Sequence, residues 1–188
     1  MLVGCLAVLI AAAGFQTEVP PLLKAKLTAA EEVRGSFVQT KTSPDGRRYV
    51  SRGVYTLRPN VDFEWRTLDP FETRFYATVT NYVYSNEDET VEKPLEKMPG
   101  YERFVAAAKG DYSGFFDAFD AKYLEENGKF FVLAKPRDSR LKKVLERVEA
   151  EGTVDAFTVR ATFPDKTVFE IAVKDDKSAE SDTKGVKP

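Results

Sequence analysis

Short segments in which every second residue is apolar, each bounded by turn residues, run through most of this chain. The alternation is cleanest from Phe157 to Phe163 and from Phe169 to Val173. A period of two places all the apolar side chains of a segment on one face of a β-strand. Turn signals such as Ser43-Pro44-Asp45-Gly46 and Asn127-Gly128 separate the segments. Many short strands joined by tight turns indicate one large, curved antiparallel sheet.

Further strands are predicted from alternation and from richness in Val, Thr and aromatic residues. They are Phe37–Thr42, Arg48–Leu57, Phe63–Trp65, Phe71–Val79, Asn81–Ser85, Thr90–Lys93, Lys122–Glu125 and Lys129–Ala134. Residues 139–151 are ambiguous, because their apolar side chains have helical spacing whereas the segments on both sides predict strands. The fold class is therefore mostly β with an α component.

Two segments have apolar residues at helical spacing, residues 20–33 and residues 101–109. Pro20 and Pro21 suit the first turn of the first helix, and glycines follow both segments. Residues 112–119 predict a second short central helix or an apolar loop. The simplest arrangement packs the helices on the concave face of the sheet. That arrangement closes the core, and it leaves a cavity where the fit is loose.

The N-terminal residues 1–15 predict a secretory signal peptide. Residues 2–13 carry no charge and end in three alanines that suit signal peptidase, and they are too short to span a bilayer, which takes about 20 apolar residues. A buried N-terminal helix is one alternative. Lipidation is another, because Cys5 ends a Leu-Val-Gly-Cys sequence that resembles a lipoprotein lipidation box. We expect one domain over residues 19–174 and a polar, disordered tail over residues 175–188.

The residue inventory excludes several kinds of chemistry. The 188 residues include no histidine and one cysteine, so they provide no Ser-His-Asp or Cys-His arrangement, His-ligated metal site or intrachain disulfide. Glu64, Asp69, Glu72 and Tyr76 offer acid and base groups, but no motif arranges them. A net charge of −2 lacks the basic excess of a nucleic-acid binder. We therefore expect neither an enzyme nor a nucleic-acid-binding protein, and no metal or cofactor.

A resemblance to a known family rests on an ordered set of motifs. The motifs are GSFVQTK at 35–41, SRGVYTLRPN at 51–60, Phe63, Trp65, Pro70, NYVYS at 81–85, and FFVL at 130–133 with Pro136. In this order and spacing they resemble the outer-membrane lipoprotein carrier protein family (LolA) of the bacterial periplasm. The resemblance runs from about Leu22 to Val173.

The resemblance implies a fold and a task. The fold is an incomplete, strongly curved antiparallel β-barrel, with an N-terminal helix and a central helical lid over an apolar cavity. The task is to take the acyl chains of lipoproteins, or a related lipid, from an inner-membrane lipoprotein-releasing ABC transporter. A monomer then carries them through the periplasm to an outer-membrane receptor. Because exposing an acyl chain to water costs about 0.8 kcal/mol per methylene, such cargo needs an apolar pocket with a cover.

The resemblance also assigns a latch. In this family the arginine of the R-P-N motif bonds the lid helices and holds the empty cavity shut. Arg58 is the matching residue, and a guanidinium has enough donors to bind several helix carbonyls at once. The alternative is that Arg58 is a surface charge before a turn.

Apolar side chains complete the implied site. The expected cavity lining is Phe37, Phe63, Trp65, Phe75, Tyr82 and Tyr84. The expected lid contacts are Leu23, Leu27, Phe104, Val105 and Ala108. For each of these residues an ordinary packed core is the alternative.

One departure from the family keeps a second interpretation open. The carrier continues with further structure after the position of Val173, where this chain has a short polar tail. An outer-membrane-anchored lipoprotein receptor, or an envelope-stress sensor module on the same fold, therefore competes with the soluble carrier. The two are separable at the native N-terminus, since a diacylated Cys5 indicates the receptor and a start near Gly14 or Phe15 indicates the carrier.

Overall fold

A computed structural model describes residues 32–58, 62–97 and 118–176, which form eleven β-strands and little helix. The strands are β1 Val33–Thr42, β2 Arg48–Arg58, β3 Asp62–Asp69, β4 Thr73–Thr78, β5 Asn81–Ser85, β6 Thr90–Pro94, β7 Phe119–Glu126, β8 Lys129–Pro136, β9 Arg147–Thr153, β10 Ala156–Thr162 and β11 Val168–Asp175. A 3-10 turn, Leu95–Lys97, follows β6. A short helix, α1 Ser139–Lys142, follows β8.

All eleven strands belong to one antiparallel sheet, in the order β6-β5-β4-β3-β2-β1-β11-β10-β9-β8-β7. The pairing of β1 with β11 joins the N-terminal and C-terminal halves of the sheet. Within the described residues, β6 and β7 lie at opposite ends and the sheet is not closed into a barrel. The mostly β, antiparallel prediction is confirmed. The predicted N-terminal helix and central lid fall outside the described residues, except at their ends.

Several segment boundaries differ from the prediction. The predicted strand Phe71–Val79 is shorter in the structure, where β4 spans Thr73–Thr78, and three residues assigned to other segments lie in strands. Val33, the last residue of the predicted N-terminal helix, lies in β1 opposite Leu57. Phe119, the last residue of the predicted second central helix, lies in β7 opposite Pro136. Asp175, assigned to the tail, lies in β11 opposite Gly35. In each case pairing with a partner strand extends the strand beyond the segment in which apolar residues alternate.

The ambiguous segment at 139–151 contains both kinds of structure. Asp138 caps α1, because its side chain accepts hydrogen bonds from the backbone N–H groups of Arg140 and Leu141. The helix has only four residues, and β9 then begins at Arg147. Leu145, between the two elements, is buried in the core. The helical spacing of the apolar residues therefore does not correspond to a long helix.

The turn signals in the sequence correspond to the hairpins. Asn127 and Gly128 have φ of 52° and 73°, the left-handed conformation that a two-residue type I′ hairpin requires. In the turn after β1, Gly46 has φ of 81°, and its N–H donates to the carbonyl of Ser43 at 2.9 Å. Lys166 has φ of 71° in the turn before β11. These turns set the register of their strand pairs.

One face of the sheet carries two buried apolar clusters. The first lies on β1–β5 and β11 and is mostly aromatic. The second lies on β8–β10 and is built of Val, Ala and Leu side chains. Phe157 of β10 is partly buried and packs against both. The apolar side chains of the two halves therefore form one continuous core face.

Candidate functional site

Six aromatic side chains from five neighbouring strands are buried together on this face. We call them the aromatic cluster: Phe37, Tyr55, Phe63, Trp65, Phe75 and Tyr82. Their exposed fractions lie between 2% and 8%. Tyr55 lies directly opposite Trp65, and Trp65 lies opposite Phe75. Because directly opposite residues of paired strands share a face, register alone places these rings side by side.

The rings of the aromatic cluster are in sequential contact. Phe37 stacks on Trp65 with centroids 3.7 Å apart and planes at 20°. Tyr55 and Phe63 each have their centroid 6.2 Å from that of Trp65. Phe75 continues the series, 6.4 Å from Phe63 and 6.0 Å from Tyr82. Stacked and tilted pairs at these distances contribute about 0.5–1.5 kcal/mol each beyond burial. The result is an apolar surface continuous over five strands.

Glycine creates the space in which Phe37 and Trp65 meet. Their strands are separated by β2, so the two residues start about 9.5 Å apart in a flat sheet. Gly53 of β2 lies directly opposite Phe37, and a Cβ at Gly53 would lie 2.6 Å from Phe37 Cζ. Tyr55 covers Gly35 in the same way, with its Oη 2.7 Å from the position of a Cβ there. Rings that lie over strand glycines in this way are typical of sheets with strong coiling.

A polar contact fastens the edge of the aromatic cluster. The hydroxyl of Tyr55 donates to the carboxylate of Asp175, which lies two strands away in the sheet and 120 residues away in sequence. Burial raises the pKa of Tyr55, and the hydrogen bond to Asp175 raises it further. Tyr55 is therefore a neutral donor at physiological pH, and it ties β2 to β11 across β1.

The structure brings together five of the six predicted lining residues, Phe37, Phe63, Trp65, Phe75 and Tyr82. Tyr84 lies opposite Phe75 but is only partly buried and outside the cluster. Sequence reasoning missed Tyr55, although it alternates with its neighbours in a predicted strand. That these residues line a cargo cavity stays a prediction. Cys5 and the predicted lid contacts, Leu23, Leu27, Phe104, Val105 and Ala108, lie outside the described residues.

Arg58, the predicted latch, ends β2 and is bound by Asp62 at the start of β3. Its Nε and Nη2 donate to the two carboxylate oxygens of Asp62 at 2.8 and 2.7 Å. Such a bidentate pair is the strongest geometry available to an arginine. The Asp62 side chain is 5% exposed and that of Arg58 is 46% exposed. The hydroxyl of Tyr76 donates to Asp62 at 3.0 Å, so Asp62 holds both residues.

The group of Arg58, Asp62 and Tyr76 projects from the sheet face opposite the aromatic cluster. Arg58 pairs with Asp62, whereas the preceding residue, Leu57, pairs with Phe63 of the cluster, and successive residues of a strand point to opposite faces. The hydrogen bond to Asp62 raises the pKa of Arg58 and that of Tyr76. If Arg58 moved to bond a lid with all its donors, the buried Asp62 would lose its charged partner. The latch role stays a prediction, and Asp62 is the residue that sequence reasoning missed beside it.

Further ion pairs lie on this outer face of β2–β4. Arg74 Nε lies 2.6 Å from Glu64, Arg66 Nε lies 2.9 Å from Glu72, and Arg52 Nη1 lies 3.0 Å from Asp69. The three carboxylates considered as acid–base candidates therefore all accept hydrogen bonds from arginines. The inner face of β2–β4 is therefore aromatic, and their outer face carries paired charges beside the exposed Val54.

In residues 32–58, 62–97 and 118–176, no group of three or more potential ligand side chains lies close enough to hold a metal ion. No helix in the described part of the chain is long and apolar enough to cross a membrane.

No protein-family model matches the sequence, and no curated protein matches it significantly. Solved structures that are similar to this chain include a LolA superfamily protein from Nitrosomonas europaea, at 8% identity over 90% of this chain and 91% of that one, with a TM-score of 0.42. An outer membrane lipoprotein-sorting protein domain from Vibrio parahaemolyticus is 8% identical over 85% and 94%, with a TM-score of 0.37. A DUF1329 family protein from Desulfovibrio piger is 8% identical over 93% and 94%, with a TM-score of 0.32.

These similarities are between backbone structures and do not extend to the amino-acid sequences. At 8% identity and TM-scores of 0.42 or less, they assign no role to any residue of this protein. The superfamily named for the Nitrosomonas structure is the one that the sequence motifs resemble.

Proposed function

We propose that this protein is a periplasmic carrier that binds acyl chains of lipoproteins, or of a related lipid, against the aromatic cluster and moves them from the inner towards the outer membrane. The observation that carries the proposal is the distribution of side chains on the open sheet. One face has six contacting aromatic residues over five strands, and on the opposite face β2–β4 carry arginine–carboxylate pairs. Such a sheet can shield an apolar chain on one side and contact water on the other.

The energetics of the cargo supports this assignment. Each methylene withdrawn from water contributes about 0.8 kcal/mol, so a chain of about 14 methylenes contributes roughly 11 kcal/mol before the costs of ordering are subtracted. Flat aromatic surfaces supply dispersion contacts along such a chain without demanding a particular hydrogen-bond geometry. Binding and release of this kind require no catalytic group. The inner-membrane transporter and the outer-membrane receptor are the partners that the proposal requires.

Release requires that the empty state be stabilised by interactions that cargo displaces. Arg58 is the residue that the proposal assigns to this task, through bonds to the lid. Its bidentate pair with Asp62 fixes the guanidinium between the end of β2 and the start of β3. Because Arg58 projects from the face opposite the aromatic cluster, the proposed latch requires its guanidinium to reach the lid around the end of β2. It must then either release Asp62 or bond the lid through Nη1, which does not bond to Asp62.

The position of the single tryptophan allows a direct test. Trp65 is the only tryptophan of the chain, and it lies at the centre of the aromatic cluster. Bromine quenches indole fluorescence only at close contact. A fatty acid or lysolipid brominated on its acyl chain should therefore quench Trp65 in a saturable way, at concentrations below those at which the lipid forms micelles. The unbrominated lipid should compete and restore the fluorescence.

A matched control uses a tryptophan placed elsewhere. In a Trp65→Phe background, Phe71→Trp introduces the fluorophore at a side chain that is 70% exposed. The brominated lipid should quench this variant weakly and without saturation. Equal quenching of both proteins would mean nonspecific adsorption, and no quenching of the native protein would mean that the aromatic cluster is only a packed core. Either result would overturn the proposed function.

A further inference from the structure

Three turns at one end of the strands form a surface with a local excess of positive charge. They join β1 to β2, β8 to β9 and β10 to β11, and with the adjoining strand residues they span 41–49, 135–147 and 163–167. We call these residues the basic surface. They include ten lysine and arginine residues and four acidic residues, a net charge of +6. Because the whole chain has a net charge of −2, the remaining residues sum to −8.

Side-chain contacts hold the three turns of the basic surface together. Lys166 of the β10–β11 turn donates to the carboxylate of Glu146 in the β8–β9 connection at 3.0 Å. Phe163, at the start of the same turn, packs edge-on against Phe169 with ring centroids 5.5 Å apart. The ammonium of Lys41 lies 5.6 Å from the centroid of the Phe169 ring. The β10–β11 turn therefore bridges the other two, so their cations belong to one surface.

Most cations of the basic surface have no carboxylate partner. Arg47, Arg147 and Lys166 form ion pairs. Within the part of the chain that the structure describes, six further cations form no ion pair, and all six are exposed: Arg48, Lys135, Arg137, Arg140, Lys142 and Lys143. An unpaired, exposed cation keeps its attraction for an external anion, whereas the arginines on the outer face of β2–β4 already have carboxylate partners. The basic surface therefore offers its positive charge to an external partner.

Exposed apolar side chains lie among these cations. Val144 directly follows two lysines and is 58% exposed, although the next residue, Leu145, is buried in the core. Tyr49 directly follows two arginines and is 55% exposed. Apolar and aromatic side chains beside lysine and arginine are typical of surfaces that meet lipid headgroups, where the ring or methyl groups enter the headgroup layer. A contact with an acidic protein surface through charge alone has no use for them.

We propose that the basic surface binds reversibly to the surface of a membrane that contains anionic phospholipids. Its unpaired lysines and arginines contact the lipid phosphates, and Val144 and Tyr49 enter the headgroup layer. Cations on flexible side chains suit a fluid array of phosphates, because such an array presents charge without a fixed geometry. Each cation near an anionic membrane strengthens binding about fivefold. Several such cations together give a binding that needs no lipid anchor and that salt weakens.

The acidic turn between β5 and β6 orients the bound protein. It lies at the same end of the strands as the basic surface but in the other half of the sheet. Its three carboxylates, Glu87, Asp88 and Glu89, are all exposed. Anionic headgroups repel this turn, so the half that contains β8–β11 approaches the membrane and β4–β6 tilt away from it. Contact with headgroups does not involve the aromatic cluster, so it does not depend on the proposed carrier function.

Vesicle binding tests the charge of the basic surface. The full chain should sediment at low salt with vesicles of phosphatidylglycerol and phosphatidylcholine, and it should be released as salt is raised. It should not sediment with vesicles of phosphatidylcholine alone. Lys142→Gln/Lys143→Gln should weaken binding to the anionic vesicles roughly 25-fold, because it removes two of the cations. Lys93→Gln/Lys97→Gln is the matched control, since both lysines are exposed at the other end of the strands. This variant should bind as the wild type does.

Four outcomes of this experiment would overturn the proposal. The first is no binding to the anionic vesicles at low salt. The second is equal binding to both kinds of vesicle, which would mean that acyl capture and not charge causes the binding. The third is an equal loss of binding in the two double variants. The fourth is retention on immobilised polyglutamate without binding to anionic vesicles, because the basic surface would then recognise an acidic protein.

A polarity-sensitive fluorescent label tests which part of the protein meets the membrane. In a Cys5→Ser background, a label on Val144→Cys should shift its emission to the blue when anionic vesicles are added, because it enters the headgroup layer. Val79→Cys is the matched control, since Val79 is 44% exposed in the turn between β4 and β5, at the other end of the strands. Circular dichroism checks that each labelled variant is folded. The same shift at both positions, or no shift at position 144, would contradict the proposed contact.

Discussion

Gly53→Ala tests how closely β2, β3 and the aromatic cluster approach one another. An added Cβ would lie 2.0 Å from the carbonyl oxygen of Arg66 and 2.6 Å from Phe37 Cζ. Ordinary van der Waals contact begins at 3.4 Å, so the carbonyl and the new methyl group must separate by about 1.4 Å. The carbonyl belongs to β3, which is paired on both sides, with β2 and with β4. It cannot rotate away as a flexible side chain would.

The expected destabilisation combines two costs and one gain. Overpacking a well-packed site costs about 1–3 kcal/mol. Stretching the flanking β2–β3 ladder weakens about two backbone hydrogen bonds, each with a net contribution of about 1 kcal/mol. Removing a strand glycine returns about 0.5–1 kcal/mol of backbone entropy. The net loss is about 3 kcal/mol, which lowers the melting temperature of a chain of this size by about 6–12 °C.

Urea unfolding followed by Trp65 fluorescence measures this loss, because the indole stacks on Phe37 beside Gly53. Gly46→Ala is the matched control. A Cβ at Gly46 meets nothing within 4 Å, and its only cost is the left-handed backbone at φ of 81°, about 1 kcal/mol. If Gly53→Ala is as stable as the wild type, or loses less than Gly46→Ala, the close approach of the strands and the ring is refuted.

Three further predictions concern single contacts. Tyr55→Phe removes the hydrogen bond to the carboxylate of Asp175 in β11, and it should lower the free energy of unfolding by about 1.5–3 kcal/mol. An unchanged midpoint in urea unfolding would contradict this. The hydrogen bond from Lys166 lowers the pKa of Glu146 below its ordinary 4.5, so this ion pair stabilises the fold above pH 4.5 and the stabilisation is lost as pH falls through the lowered pKa. Glu146→Gln should therefore reduce the loss of stability in that pH range, as measured by urea unfolding at a series of pH values. The same loss of stability in the variant and the wild type would contradict this prediction. Arg58→Leu should load lipid and fail to release it in a transfer assay. Asp62→Asn keeps the guanidinium, so this variant should still release lipid. Equal defects in the two variants would mean that the ion pair causes the effect, and would contradict the latch role of Arg58.

The hairpins show how far local chemistry reaches. Asn127-Gly128 and Ser43-Pro44-Asp45-Gly46 were identified as turns because left-handed backbone conformations favour Asn and Gly at particular positions. Their φ values confirm this. Strand existence was equally local, since a period of two is a property of consecutive residues. Strand ends at Val33 and Asp175 were missed, because each is set by pairing with a distant strand.

The aromatic cluster was predictable in part for the same reason. Phe63, Trp65 and Phe75 alternate within their strands, so their common face followed from the sequence. The stack of Phe37 on Trp65 did not, because it depends on Gly53 of the strand between them. Alternation predicts which face a side chain occupies, and only the order of the strands determines which rings meet.

The charged contacts depend on the structure to a still greater degree. The R-P-N motif identifies Arg58 as a candidate residue. Its hydrogen-bond partner Asp62, and Tyr76, which also bonds Asp62, become its neighbours only because β2, β3 and β4 lie side by side in the sheet. Tyr55 and Asp175 are separated by 120 residues. A sequence lists donors and acceptors, whereas strand order determines which of them come within hydrogen-bonding distance.

By itself the sequence determined the class of the fold, the turns, the apolar face of each strand and the absence of histidine chemistry, because each of these is a property of composition or of near neighbours. Only the tertiary structure decided the strand order, the glycine-supported stacking of the rings and the pairing of Arg58 with Asp62. Those features are sums of contacts between distant segments. Pairing of β1 with β11 brings the two ends of the described chain together, and no local pattern specifies that pairing.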